Sequence, residues 1–262
     1  MKLIWANVLA IYTRELQSYF ITPWGYLIAG VFWLVSGFFF SILYYNLTAQ
    51  SILMGSDPNL PSVDYAYELI RTFLRVLGQV VLFILPILSM NLYTEERKRG
   101  TLELLATSPI TNWAVALAKL GAVVTFFFTI LLPIVAYQIF ALGGANPSIP
   151  LEPLLWGYFG LLLLASSILS LGMFISSLTD NTIVAAIGTF GLVLLLSLID
   201  AVSNSTTGIM TDIISHISLL KQYENLVQGV VDSSSIVAFI SYILLGIFLT
   251  AQSVEAFRFQ RS

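Results

Sequence analysis

Six charges fall within nine positions, at Glu95, Glu96, Arg97, Lys98, Arg99 and Glu103, in a chain of 262 residues that is only 10% charged. They belong to the stretch Glu95-Glu96-Arg97-Lys98-Arg99-Gly100-Thr101-Leu102-Glu103-Leu104-Leu105, which has an apolar span on each side. Such an island cannot face lipid, where each Asp, Lys or Arg at mid-bilayer costs roughly 2.5 to 3.5 kcal/mol. The chemistry it offers is recognition, as a handle for something soluble. Thr101 can cap a short helix, Glu103 in the first turn is favoured by the helix dipole, and Leu102, Leu104 and Leu105 offer apolar contacts. Gly100 permits the bend from the preceding span, and Ser108-Pro109 stops the short helix. A rigid element of this kind between two spans can transmit force from a partner. A charged inner loop that only fixes topology fits the same spacing.

Bond-making chemistry finds few candidates. His216 is the single histidine and there are no cysteines, so a multi-histidine metal cluster, a thiolate site, a disulfide and a thiol nucleophile are all excluded. The carboxylates are spread mainly over loops and give no defined acid–base pair. No GxSxG elbow occurs. Ionisable residues within spans reduce to Lys119 and Asp200, both near span ends, which disfavours a proton relay. Lys119 follows Trp113 closely enough to be expected to snorkel to the inner headgroups. No Gly-Lys-Ser or Gly-Lys-Thr appears, so there is no phosphate-binding loop. The chain is expected to be no enzyme, and if it runs on ATP, the motor is another polypeptide.

The elements that carry the island are membrane spans. Hydrophobic residues make up 58% of the chain, and the mean hydropathy is +0.90, well above a soluble domain. Uncharged windows of 41, 19, 32, 27, 19 and 22 residues separate Glu15 from Asp57, Arg75 from Glu95, Lys119 from Glu152, Glu152 from Asp180, Asp180 from Asp200 and Asp232 from Glu255. Each can hold the roughly 20 residues that a helix needs to cross a bilayer. The expectation is an all-α membrane protein, one transmembrane unit over residues 1–262, with spans at about 22–47, 76–93, 116–142, 154–178, 182–202 and 235–256. Continuous apolar runs favour helices over a barrel, whose strands alternate. An even number of spans puts both termini on one side. Lys2, Arg14, Arg97, Lys98, Arg99, Lys119, Arg258 and Arg261 fall on that side, against Arg71, Arg75 and Lys221, which makes it cytoplasmic. A net charge of −3 gives no case for nucleic acid.

Around the spans, residues 1–20 place Ile4, Val8, Ile11, Tyr12, Glu15 and Tyr19 near one face, as an imperfect amphipathic helix in the inner headgroup layer or a frayed extension. Arg14 and Glu15 interrupt this stretch and no small-residue cleavage site follows, so the first span is expected to be retained. Thr22-Pro23 starts that span. Residues 48–70 read as an outside loop, with Arg71 and Arg75 where the second helix enters the outer leaflet. Pro86 and Pro133 lie inside spans and would kink them, which suits a moving pathway or plain packing. The fourth span carries Ser166, Ser167, Ser170, Gly172, Ser176 and Ser177, a small-residue face read as close helix packing in preference to a substrate stripe. Between spans five and six, Met210, Ile213, Ile214, Ile217 and Leu220 follow helical spacing and suggest a short amphipathic helix or re-entrant pair at the outer surface.

Residues Glu95 to Pro109 resemble the coupling-helix segment of ABC-2 type transporter permeases. Ile217-Ser218 through Asp232, with the last span and Glu255 to Arg261, is similar to the carboxyl end of the permease subgroup associated with gliding motility and copper-enzyme maturation. The resemblance implies a half-transporter: two permease subunits, a second copy or a paralogue, form the pathway in lipid, and two cytoplasmic ABC ATPase subunits drive it. ATP and Mg would sit on the ATPase, with no cofactor on this chain. The ATPase-coupling candidates are then Glu95, Glu96, Arg97, Gly100, Thr101, Glu103, Leu104 and Leu105, with Ser108 and Pro109 closing the segment. The implied activity is export across a bacterial inner membrane, both termini cytoplasmic. No portable substrate-binding motif exists in the family; the first-span aromatics Trp33, Phe38, Phe39, Phe40, Tyr44 and Tyr45 suit lipid contact better than an amphiphile path. The alternatives are a scaffold that recruits an ATPase to a larger machine, and a secondary transporter or channel that needs no ATP.

Overall fold

The computed structural model describes residues 2–54, 64–101, 111–143, 151–205 and 217–259, and among these residues the regular elements are all α-helices. In chain order they are α1 (Lys2–Ile21), α2 (Pro23–Met54), α3 (Tyr65–Ser89), α4 (Asn91–Lys98), α5 (Asn112–Leu142), α6 (Leu151–Leu178), α7 (Thr182–Ser205), α8 (Leu219–Val227) and α9 (Ser233–Phe259). Among the described residues, six stretches are long and apolar enough to cross a membrane: Pro23–Ile52, Tyr65–Lys98, Asn112–Ala141, Glu152–Leu178, Thr182–Ile199 and Ser233–Phe257. The second takes α3 and α4 together.

Two boundaries differ from the sequence reading, for a local reason. The second span was expected from residue 76, yet α3 starts at Tyr65 because the Asp64 carboxylate accepts from the backbone N–H of Ala66 and of Tyr67, at 3.1 Å each. That cap supplies acceptors to donors which the first turn leaves orphaned. The apolar run begins a full three turns later. Likewise α2 runs on to Met54, well past the expected end near residue 47. Hydropathy marks where a helix can cross a bilayer, and capping marks where it begins.

Helix α6 is the hub, touching α3, α4, α5, α7, α8 and α9. Its small face makes this possible. Ser167, Ser170, Ser176 and Ser177 are all buried. The hydroxyls of Ser167 and Ser170 bond carbonyls of their own helix and also face the Phe239 and Tyr242 carbonyls of α9, at 3.2 and 3.3 Å. Gly246 of α9 lies against the Ser170 backbone. With no hydrophobic drive between helices in lipid, such close backbone approach and interhelical bonding hold the bundle. Close packing, the reading favoured for this serine face, is what it does. On α3, Ile70, Phe73, Leu74, Leu77, Val81, Leu85 and Leu88 repeat at helical spacing and enter one core with Leu161, Leu164 and Ile168 of α6.

The short α8 packs one face against the bundle. Ser218 caps it by accepting from the Lys221 N–H at 3.2 Å, and Leu219, Gln222, Tyr223, Leu226 and Val227 are buried against the bundle. The Tyr223 hydroxyl donates to the Leu74 carbonyl at 2.6 Å, and Arg75 of α3 pairs with Glu224 at 2.7 Å. That pair is about two-fifths exposed on each side, so it fixes register more than it stabilises. Of the stripe expected here, Met210, Ile213 and Ile214 lie outside the described residues, as does His216.

At the opposite end of the bundle α1 packs along α5. The face turned inward carries Asn7, Val8, Ile11, Tyr12, Glu15, Leu16 and Tyr19, so that Asn7 and Leu16 join the residues read from the sequence, while the Ile4 side chain lies outside the described residues. The Tyr12 hydroxyl donates to Thr125 at 3.0 Å and the Tyr19 ring stacks on Phe126 at 4.8 Å.

Candidate coupling site

The charged island begins as α4. Helix α3 passes through Pro86, ends at Ser89, and gives way to a turn at Met90 before α4 starts. Such a restart orphans the first N–H groups of α4, and Met90 has no side chain to cap them. A neighbouring helix supplies the cap instead. Ser176 of α6 accepts from the backbone N–H of Tyr93 at 2.9 Å and of Thr94 at 3.2 Å, while its own hydroxyl donates to the Met90 carbonyl at 3.0 Å. The serine face thus positions the island as well as packing the bundle. Ser176→Ala should cost about 1–2 kcal/mol, because the buried Tyr93 N–H loses its acceptor and the Met90 carbonyl loses a donor. Ser166→Ala removes only a bond to its own helix at Leu162 and should cost at most about 0.5 kcal/mol. Thermal unfolding of the two variants in detergent, with hydrogen exchange at Tyr93 and Thr94, checks the contrast.

The far end of α4 is closed by glycine. Gly100 has φ of 69°, a left-handed conformation that costs a side-chain-bearing residue. Its N–H donates to the Arg97 carbonyl at 3.1 Å, and the Thr101 N–H donates to the Glu96 carbonyl at 3.0 Å. This is the Schellman pattern, which satisfies two carbonyls and turns the chain away from the helix axis. The bend attributed to Gly100 is present in this form. Residues Glu103, Leu104, Leu105, Ser108 and Pro109 lie outside the described residues.

The candidates that are described do different things. Glu95 and Arg99 face outward and pair with each other at 3.4 Å, one turn apart. Arg97 turns back into the protein: its guanidinium donates to the Ser177 carbonyl at 2.6 Å and lies 4.3 Å from the centre of the Phe257 ring. One side chain therefore ties α4 to the end of α6 and to the end of α9. Glu96 also points inward, towards Lys119.

Lys119 corrects the sequence reading. It was expected to snorkel to the headgroups, but it is only 2% exposed. Its ammonium donates to Glu15 of α1 at 2.9 Å, to Glu96 of α4 at 2.9 Å and to the Leu92 carbonyl at 2.8 Å. All three donors of the ammonium are used. The Tyr93 ring centre lies 5.0 Å away. Glu15 and Glu96 are themselves 17% and 15% exposed, so the attraction acts with little screening by water. Beside them the Tyr19 hydroxyl donates a long bond to the Leu88 carbonyl at 3.4 Å. Burial, reinforced by the charges of Glu15 and Glu95, pushes its pKa up and keeps it a donor.

One end of the bundle therefore gathers α1, α4, the start of α5, the α6–α7 junction and the end of α9 around a single short helix. A family model for the ABC-2 type transporter matches residues 6–230 of the chain. The chain belongs to the ABC-2 type transporter family. Together with the six apolar helices this makes it an integral membrane protein and a permease subunit of that family. Two relatives are 31% identical over 135 residues: the proteins described as "Probable multidrug ABC transporter permease YbhR" in Escherichia coli strain K12 and in Escherichia coli O157:H7. The match covers 50% of this chain and 33% of each relative.

In this ABC-2 permease, the signal that pointed to the island was charge density, and it found Glu95, Glu96, Arg97, Gly100 and Thr101. It missed Lys119, Glu15 and Ser176. Their partners lie between 23 and 104 positions away in sequence, and no local spacing carries that information.

Proposed function

We propose that this chain is the membrane half of an ATP-driven exporter, which works as a dimer and is moved by separate cytoplasmic ATPase subunits seated on the segment between α4 and α5. The supporting observation is that Glu96 and Arg97 brace α4 from both sides. Glu96 is bonded through Lys119 to α1 and α5, and Arg97 is bonded to α6 and stacked on α9. A push on the island would then move four other helices together, because packed elements shift as bodies. Glu95, Lys98 and Arg99, which point outward, would be left to meet the ATPase with Glu103, Leu104 and Leu105. The excess of Lys and Arg at this end is the reason for assigning it to the cytoplasm. The likeness of the carboxyl end to permeases of gliding motility and copper-enzyme maturation, and the multidrug description of the YbhR relatives, bear on cargo and leave it open between them.

Copurification from native membranes tests the reading. An ATPase with phosphate-binding-loop motifs is expected to accompany the chain, and to be lost on replacing Gly100 by valine or Glu103 by lysine. Association and transport that persist after the whole island is exchanged for a neutral flexible loop would refute it. Flux through the purified chain that follows an ion gradient and ignores ATP would favour a secondary transporter instead.

A further inference from the structure

Where α1, α4 and α5 meet, three charges sit largely out of water, and stability does not account for them. One ammonium, Lys119, serves two carboxylates, Glu15 and Glu96, and the second Glu96 oxygen is buried without a hydrogen-bond partner. Desolvation of such a group offsets much of its attraction, and apolar residues of similar volume would hold the helices as well or better. Helix α1 already has an apolar seat. Leu16 and Tyr19 pack against the core, and the Tyr19 and Phe20 rings both meet Phe126 of α5. Adhesion of α1 therefore does not need Glu15.

What the charges add is alignment. Apolar contact is non-directional, so a helix held by it alone can slide or turn on its neighbour. Charge-assisted hydrogen bonds are short and directional, and they fix the groups they join. Lys119 stands on α5 and divides its three N–H groups between two other elements. They reach Glu15 of α1 at 2.9 Å and, on α4, Glu96 at 2.9 Å and the Leu92 carbonyl at 2.8 Å. Leu92 and Glu96 are one turn apart, so α4 is gripped at two points along its axis. A slide of α1 by one turn would bring Ile11 or Tyr19 to the place of Glu15 and take a carboxylate from the ammonium. A single nitrogen thus sets the register of both helices.

We propose that Lys119 is the positioning residue of the coupling segment: its ammonium fixes α1 and α4 in one register so that they move as a unit, and the buried charges serve that alignment and not stability. The alignment belongs to the chain by itself. Its use, to carry the push of an ATPase from α4 into α1, rests on the transporter reading given above.

The chain has no cysteine, so nitroxide labels at Gln17→Cys and Lys98→Cys, both exposed, report the distance between α1 and α4. The full chain is measured in nanodiscs without any ATPase, so failure here would leave the transporter reading untouched, and failure to copurify an ATPase would leave this distance as it is. The parent is expected to show one narrow distance. Lys119→Met combined with Glu15→Gln and Glu96→Gln should lose it, the distances spreading over about 5 Å, the rise of one turn, while the unfolding midpoint and helical content stay at the parent's. Arg99→Gln, which removes only the exposed pair with Glu95, should keep the parent's distance. A triple variant with the same narrow distance would overturn the proposal, by showing that apolar contact alone sets the register. Loss of the distance together with a lowered unfolding midpoint would overturn it too, by making the charges an ordinary support of the fold.

Discussion

Lys119→Met is expected to destabilise the protein by about 3–5 kcal/mol, the range for breaking a buried pair by removing one partner. The reason is what it leaves behind. Glu15 and Glu96 would face each other across a largely dry site with no cation between them, and the Leu92 carbonyl would lose its donor. The size of the effect follows from burial: an exposed ion pair such as Glu95–Arg99 is worth only about 0.3–0.5 kcal/mol. The triple variant Lys119→Met, Glu15→Gln, Glu96→Gln should recover most of the loss, since replacing a whole buried ionic group is often close to neutral. Thermal unfolding in detergent reads both. A Lys119→Met protein as stable as the parent would mean that the ammonium reaches water and that α1, α4 and α5 are not joined through it.

Gly246→Val is the second large effect. A Cβ at Gly246 would stand about 2.5 Å from the Ser170 carbonyl carbon, and backbone cannot rotate away as a side-chain tip can. Helix α9 would have to retreat from α6, breaking the contacts of Ser167 and Ser170 with the Phe239 and Tyr242 carbonyls. Overpacking of this kind costs typically about 1–3 kcal/mol, and the upper end is expected here. Gly30→Val is the matched comparison, because nothing lies within 4 Å of a Cβ built there. It should be neutral or slightly stabilising, as valine is the better helix former. Equal unfolding midpoints for the two variants would contradict the close approach of α6 and α9.

Much of the fold was legible because membrane insertion imposes a simple rule on sequence. Charges are excluded over about 20 residues at a time, so six uncharged windows gave six apolar helices. The serine face of the fourth span was legible as packing for a related reason, since small residues are what lets helices approach in lipid. The inward face of α1 followed from its spacing. What was not legible depends on partners distant in sequence. Lys119 near a span end reads as a snorkelling lysine until Glu15 and Glu96 are placed beside it, and Ser176 reads as one more small residue until the restart of α4 presents the orphaned Tyr93 N–H to it. Arg75 reads as a leaflet anchor until α8 brings Glu224 within 2.7 Å. In the charged island, Gly100 was legible because a left-handed turn favours glycine, whereas the inward direction of Glu96 and Arg97 was not. Charge density marked the island and did not say which charges the protein keeps for itself.

The chain has no cysteine, so a single one at Lys98→Cys, on the exposed last turn of α4, can report what meets the island. Crosslinking from that position in native membranes, followed by mass identification of the adduct, shows whether an ATPase is seated there. The expected adduct is an ATPase with phosphate-binding-loop motifs, crosslinked in a yield that changes when ATP is added. An adduct only to proteins on the opposite face of the membrane, or none but a second copy of this chain, would contradict it.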